Sequence, residues 1–448
     1  MKYVSSLFSS SLGNILEWYD FGLFSIYSSL FSQLFFPSKA RSIALMTTLS
    51  LFAIGFLCRP LGALIFGYLG DKRGRASTLR LSLLMISLPT LFVGILPTYD
   101  QIGIFAPIGL LLIRIWQGIS IGGEYSGNLI YLAETAPTRH RALFTSFTSI
   151  GSNLGILLAA LVGITSSAFL SSDALHHGGW RIPYLLSGLL CLMLYRFRLK
   201  IKETPAFTQL AQSKQLARNP INTVFTNHLP ALWRSVGLVC MGSTFYYFCF
   251  IFMPLYLSEQ SNFSTAAISL LMTGLILIMI ISTPLAGYLC DHIGRRKMLL
   301  YNAGIVALIL IPGFYFIRMN VTWLTLVVLI TFALLTASEQ GTTSVALVEN
   351  FPMPARYTGI SLGFNLGNGL LGGTAPIVSA WLTAKLHQPL LPAAYIAGFA
   401  AITWLVVYFS IPETKGISLT HLNAANDPIK PSTHKTLMPD LSASSAGT

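Results

Sequence analysis

Glu17, Asp20, Arg59, Arg114, Gln117, Glu124 and Asn128 stand in stretches whose neighbours are otherwise apolar or small. In a helix that crosses a bilayer such groups are expensive, and they face a partner or a wet cavity. Glu17 and Asp20, three residues apart in "GNILEWYDFG", share one side of a helix. Gln117, Glu124 and Asn128 follow at spacings of seven and four, a polar stripe with Arg114 one turn before it. Two readings suit this set. A carboxylate there can exchange a proton, because burial favours its neutral form and a nearby arginine its charged form. Alternatively, the groups form a permanent salt-bridge cluster. Three acids against two arginines leave one acid without a partner, which makes Glu17, Asp20 and Glu124 the candidates for carrying a proton. Arg59 and Arg114, with Gln117 and Asn128, would receive the carboxylate of a bound metabolite. Further along, Glu339 in "LTASEQGTTS" would complement an ammonium, or else cap or pair locally with Gln340 or Thr342. Tyr246 and Tyr247 would hold a cationic head by cation–π contact, although most aromatics in a span face lipid or pack.

These residues must be positioned by membrane helices. Of 448 residues, 53% are hydrophobic and only 10% charged, against roughly 25% charged in soluble domains. Mean hydropathy is +0.66. The chain reads as an all-α integral membrane protein with too few aqueous residues for a soluble catalytic domain. A span needs roughly 20 mostly apolar residues, and about twelve are predicted: 11–36, 46–70, 79–98, 103–132, 142–170, 182–199, 234–258, 265–289, 298–317, 322–348, 358–384 and 391–411. They form two six-helix bundles, 1–199 and 234–416, joined by a linker at 200–233 and followed by a tail at 417–448 that is expected to be disordered. Only Lys2 precedes the first apolar run, which carries charges, so no cleavable signal is expected.

The net charge of +13 follows topology rather than a nucleic-acid patch. Lys72, Arg73, Arg75, Arg80, Arg139, Arg141, Arg295, Arg296, Lys297 and Arg356 fall in loops on one side. The linker adds Arg196, Arg198, Lys200, Lys202, Lys214, Arg218 and Arg234. The positive-inside rule puts this side, both termini included, in the cytoplasm. The five cysteines lie in or beside apolar segments without metal-ligand spacing, so no metal is expected.

The halves repeat. "GYLGDKRGR" at 67–75 returns as "GYLCDHIGR" at 287–295 with six of nine residues identical, "AETAPTRHR" as "VENFPMPAR", and "KETP" as "PETK", at offsets of 220, 215 and 210. Two parallel repeats within one chain are an architecture of alternating-access transporters. In the first pair, Gly67, Asp71, Gly74, Arg75, Gly287, Asp291, Gly294 and Arg295 form a candidate cytoplasmic gate. The glycines allow close approach or tight turns, and the aspartates can accept from helix N-termini. "GISIG" at 118–122 satisfies the hydrolase pattern G-x-S-x-G, but it lies inside a span with no histidine in reach, so close helix packing explains it better. There is no HExxH and no nucleotide-binding P-loop; the protein is not expected to be an enzyme or an ATP-driven pump.

Together, "GNILEWYDFG", "RPLGALIFGYLGDKRGR", "RIWQGISIGGEYSG" and "ETAPTRHR" resemble the metabolite:proton symporter family of the major facilitator superfamily. The resemblance covers the chain to about residue 416, and "STFYYFCFIFMPLYLS" is most similar to proline/betaine-type members. It implies a major facilitator fold in a bacterial cytoplasmic membrane. It also implies a secondary transporter that works as a monomer, uses the proton gradient and needs no cofactor. The implied substrate is a small zwitterion such as proline or glycine betaine; dicarboxylate-type members share the first-half motifs, which leaves α-ketoglutarate or citrate as the alternative. The resemblance does not lead to an acid at Glu339. The tail shows no heptads, so the coiled coil of some osmolyte-carrying relatives is not expected.

Overall fold

The computed structural model describes residues 2–36, 41–261, 263–385, 388 and 390–419. Twelve helical rods run through it, called spans 1 to 12 here. Among the described residues nine are each long and apolar enough to cross a membrane: Ala53–Arg73, Arg75–Ile95, Phe105–Thr135, Thr138–Ser166, Leu229–Gln260, Thr265–Ile293, Arg295–Arg318, Thr322–Glu349 and Leu391–Ser410 (spans 2 to 5, 7 to 10 and 12). The other three carry interruptions or charge. Span 1 is Lys2–Ile26 continued by Ser28–Phe35, span 6 is Arg181–Arg198, and span 11 is Arg356–Asn365 and Gly373–Lys385 joined by a π-helical stretch, Leu366–Gly372. Span 2 begins earlier than its apolar window, with the helix Arg41–Leu57. Span 7 contains a second π-helical stretch, Phe248–Phe252. Such turns often mark functional positions, because they widen the helix and re-aim its side chains.

Span 1 starts nine residues before the predicted residue 11. No Gly or Pro breaks the serine-rich lead, and the carbonyl of Ser10 is held by Arg198 (Nη2–O 2.6 Å). The predicted linker holds two short helices, Pro205–Gln212 and Pro220–Asn227, each with proline in its first turn and a side-chain cap from Thr204 or Asn219. The predicted tail lies outside the described residues from 420 onward.

Burial separates central from peripheral spans. In its most apolar window span 7 is 78% buried, whereas span 8, the more hydropathic of the two, is 22% buried. Span 7 is therefore enclosed by protein along most of its length, whereas span 8 packs on spans 5 and 10 along one side and leaves Leu270 and Ile281 exposed on the other. Association in lipid depends on close packing rather than on hydrophobic exclusion. Gly118 and Gly122 show it: a Cβ on either would strike the backbone of span 2 at Gly55, Arg59 and Ala63. That contact accounts for "GISIG". The turns at Gly74 and Gly294, the segments 136–141 and 350–356, the linker and the stretch 411–419 meet at one end of the bundle, the basic face.

Candidate functional site

The three acids expected to carry the proton, Glu17, Asp20 and Glu124, form three separate ion pairs. Asp20 accepts from Arg114 (3.3 Å), Gln117 (2.8 Å) and Thr90 (3.1 Å). Glu124 accepts from both terminal nitrogens of Arg198 (2.5 and 3.1 Å) and from Ser82. Among the described residues Glu17 pairs only with Arg59, at 3.6 Å, and its Oε2 has no hydrogen-bond partner. The Arg59 guanidinium is boxed by the rings of Phe56, Phe21 and Trp18, with centroids 4.3, 5.4 and 5.6 Å away.

This corrects the charge count. Arg198, assigned to the linker by its position, is fully buried and supplies the third base, so three acids meet three arginines. A signal was present: Arg198 follows Cys191 by seven and Tyr184 by fourteen residues, which continues the buried stripe of span 6.

A small cavity of about 70 Å³ lies between the halves and is lined by both of them. Trp18, Tyr125, Asn153, Tyr246, Glu339 and Asn368 contribute to its wall. Tyr125 stacks on Phe364 of the other half at 4.1 Å and 9°, and Asn153 donates to Gln340 across the halves at 3.1 Å. Of the residues expected to bind substrate, Tyr246 and Glu339 face this space. Arg59, Arg114, Gln117, Asn128 and Tyr247 do not line it. Arg114 and Gln117 are engaged by Asp20, and Asn128 is buried with both amide atoms unpartnered. Tyr247 packs edge-on against Phe56. Among the described residues the wall contains one carboxylate, Glu339, and no Lys, Arg or His. Among the described residues Glu339 makes no ion pair, although it is 6% exposed.

On the basic face the halves are joined by two mirrored clusters. Glu134 of span 4 meets Arg75 (3.3 Å), Thr204 (2.6 Å) and, from the other half, Arg356 (3.1 Å). Its counterpart Glu349 of span 10 meets Arg295 (3.2 Å), Thr414 (2.5 Å) and, from the first half, Arg141. Every member is related to its twin by the repeat offsets. Asp71 accepts from the N-terminus of span 11, at Tyr357 N (3.1 Å) and Thr358 N (2.9 Å). Asp291 does the same at the start of span 5, at Ala142 N (3.1 Å) and Leu143 N (3.0 Å). A carboxylate at a helix N-terminus satisfies orphan N–H groups and meets the positive end of the dipole.

The glycines have two jobs. A Cβ on Gly67 would press on the Thr358 backbone, and one on Gly287 on Ala142 and Leu143, so both let the opposite half approach. Gly74 and Gly294 adopt φ of 104° and 113° at the turns before spans 3 and 9, a region that disfavours other residues. Arg141 and Arg356 are not loop charges: both are buried and each crosses to the other half. The repeat of "AETAPTRHR" and "VENFPMPAR" was the signal for these pairs, but the sequence does not show which half each arginine serves.

Comparison with known proteins gives concordant matches. The family model for the Major Facilitator Superfamily matches residues 9–365 and 250–441. A proline/betaine transporter of Salmonella typhimurium is 33% identical over 441 residues, covering 96% of this chain and 86% of the relative. A glycine betaine/proline/ectoine/pipecolic acid transporter, OusA, of Dickeya dadantii is 32% identical over 434 residues, covering 95% and 84%. Among solved structures, the proton:xylose symporter XylE bound to 6-bromo-6-deoxy-D-glucose superposes with a TM-score of 0.77 at 20% identity, over 95% of this chain and 99% of that one.

Proposed function

The chain belongs to the major facilitator superfamily, a multi-pass membrane transporter and not an enzyme, and on that premise we propose that it imports a small zwitterionic metabolite, of the proline or glycine betaine type, by proton-coupled symport. The observation that carries this reading is the pair of mirrored clusters on the basic face, beside a cavity between the halves. Each cluster binds one half to the other through groups that can separate and re-form, as alternating access requires. Breaking them opens the basic face, which is the cytoplasmic face by the positive-inside rule; both termini lie on that side. The transporter acts as a monomer in a bacterial inner membrane and needs no cofactor, because the proton gradient is its energy source.

Proton coupling is assigned to the first half. Asp20 and Glu124 each have three hydrogen-bond donors, whereas Glu17 has one long contact and a bare oxygen. A carboxylate oxygen without a donor keeps a free lone pair to receive a proton, so Glu17 carries the proton and Arg59 neutralises it between turns. Relatives named for proline and betaine support the substrate class. The lack of a basic residue in the cavity wall tells against a di- or tricarboxylate. The test is uptake in proteoliposomes with an acid-outside gradient. Proline or glycine betaine should accumulate and α-ketoglutarate should not; absence of gradient-driven uptake of either zwitterion refutes the assignment.

A further inference from the structure

The repeat places Glu339 at the position of Glu124, 215 residues on, as Glu349 stands to Glu134. The local geometry repeats as well. A Cβ on Gly13 of span 1 would collide with the Glu124 carboxylate, and one on Gly242 of span 7 with the Glu339 carboxylate. Each glutamate thus lies in a glycine notch of the first helix of its half. The difference is the cation. Glu124 is gripped by Arg198. At the offset of 210 that relates Thr204 to Thr414, the twin of Arg198 is Tyr408, a neutral ring stacked on Trp404 at 5.1 Å and 7°. Glu339 therefore has the notch without the arginine, and it borders the cavity between the halves.

A carboxylate this deeply buried needs a positive partner or a proton. The same wall offers the rings of Trp18, Tyr125, Tyr246 and Phe364, together with neutral amides and hydroxyls. Aromatic rings beside a carboxylate without an ion-pair partner suit an organic ammonium, above all a methylated one, whose charge is diffuse and weakly hydrated.

We infer that Glu339 is the ligand for the ammonium group of the transported molecule, and that the cavity binds small secondary or methylated ammonium ions whether or not they carry a carboxylate. This rests on the transport reading above and deepens it: the cation is the group fixed by charge, and any carboxylate meets only neutral donors.

The test uses the purified full chain in detergent and in proteoliposomes, with glycine betaine and tetramethylammonium as probes. Wild type should bind both. Glu339→Gln should weaken both by about tenfold or more, corresponding to about 1.4 kcal/mol or more, while Glu339→Asp should retain part of the affinity. Monodispersity on gel filtration shows that each variant is folded. Unchanged binding of both probes by Glu339→Gln overturns the inference. So does intact binding with loss of gradient-driven accumulation, which makes Glu339 a proton site. The two readings fail separately. If glycine betaine still accumulates in a Glu339-independent way, the symporter stands and the ammonium site falls. If tetramethylammonium binds through Glu339 while no zwitterion is taken up, the ammonium site stands and the substrate assignment falls.

Discussion

Replacing Arg198 with methionine keeps much of the side-chain bulk and removes the charge. In the folded protein Arg198 is fully buried and donates to both Glu124 oxygens and to the carbonyls of Leu79 (2.5 Å) and Ser10 (2.6 Å). The variant leaves Glu124 buried with only Ser82 beside it. Removing one partner of a buried ion pair costs about 3–5 kcal/mol. The two stranded carbonyls place Arg198→Met at the upper end of that range, because each loses a charge-assisted bond in a dry site. Replacing both partners with apolar residues is far gentler and is often neutral. Arg198→Met with Glu124→Met should therefore recover most of the loss, with a coupling energy of about 2–3 kcal/mol. The assay is reversible denaturant unfolding in mild detergent followed by tryptophan fluorescence, with both single variants and the double variant. Stability of Arg198→Met within about 0.5 kcal/mol of wild type, the range of ordinary surface changes, refutes the pairing. So does a double variant no better than the single. Glu339→Gln serves as the contrast: with no arginine to strand, it should leave stability unchanged or raise it.

Three further outcomes are expected. Glu134→Gln with Glu349→Gln removes both cross-half clusters and should raise maleimide labelling of Cys290, which is buried against Ala142 of the other half; unchanged labelling would show that the ion pairs do not hold the face closed. Gly67→Val and Gly287→Val put a branched side chain into the backbone of the opposite half, so both should slow transport sharply and increase Cys290 labelling, and full transport rates would contradict the close approach. Glu17→Gln should abolish concentrative uptake while exchange at equal concentrations persists, whereas Asp20→Asn, which strands Arg114, should also lower stability by about 3 kcal/mol; gradient-driven accumulation by Glu17→Gln at the wild-type level removes Glu17 from coupling.

Much of the architecture was legible because lipid imposes a local rule on every segment that crosses it. A backbone in hydrocarbon must satisfy its own hydrogen bonds, so composition over roughly 20 residues already marks a span. The duplicated motifs of each half and the basic loops are likewise written along the chain. Glu17, Asp20 and Arg59 announce themselves as charges in apolar surroundings, with no tertiary information needed.

Pairing is a different kind of fact. Arg196 and Arg198 look alike in sequence, yet only Arg198 continues the buried stripe of its helix and reaches Glu124, 74 residues away. Arg141 and Arg356 read as loop charges until the halves are brought together, when each proves to serve the other half's glutamate. Arg59 and Arg114 look like substrate ligands until each is found paired with a carboxylate and outside the cavity wall. Glu339 looks like one more buried acid until Tyr408 is seen where its twin has an arginine. A charge in lipid is conspicuous wherever it falls, so sequence by itself determined which residues had to be answered. What answers each depends on helix rotation and on contacts across as many as 287 residues, and only the tertiary structure decided that.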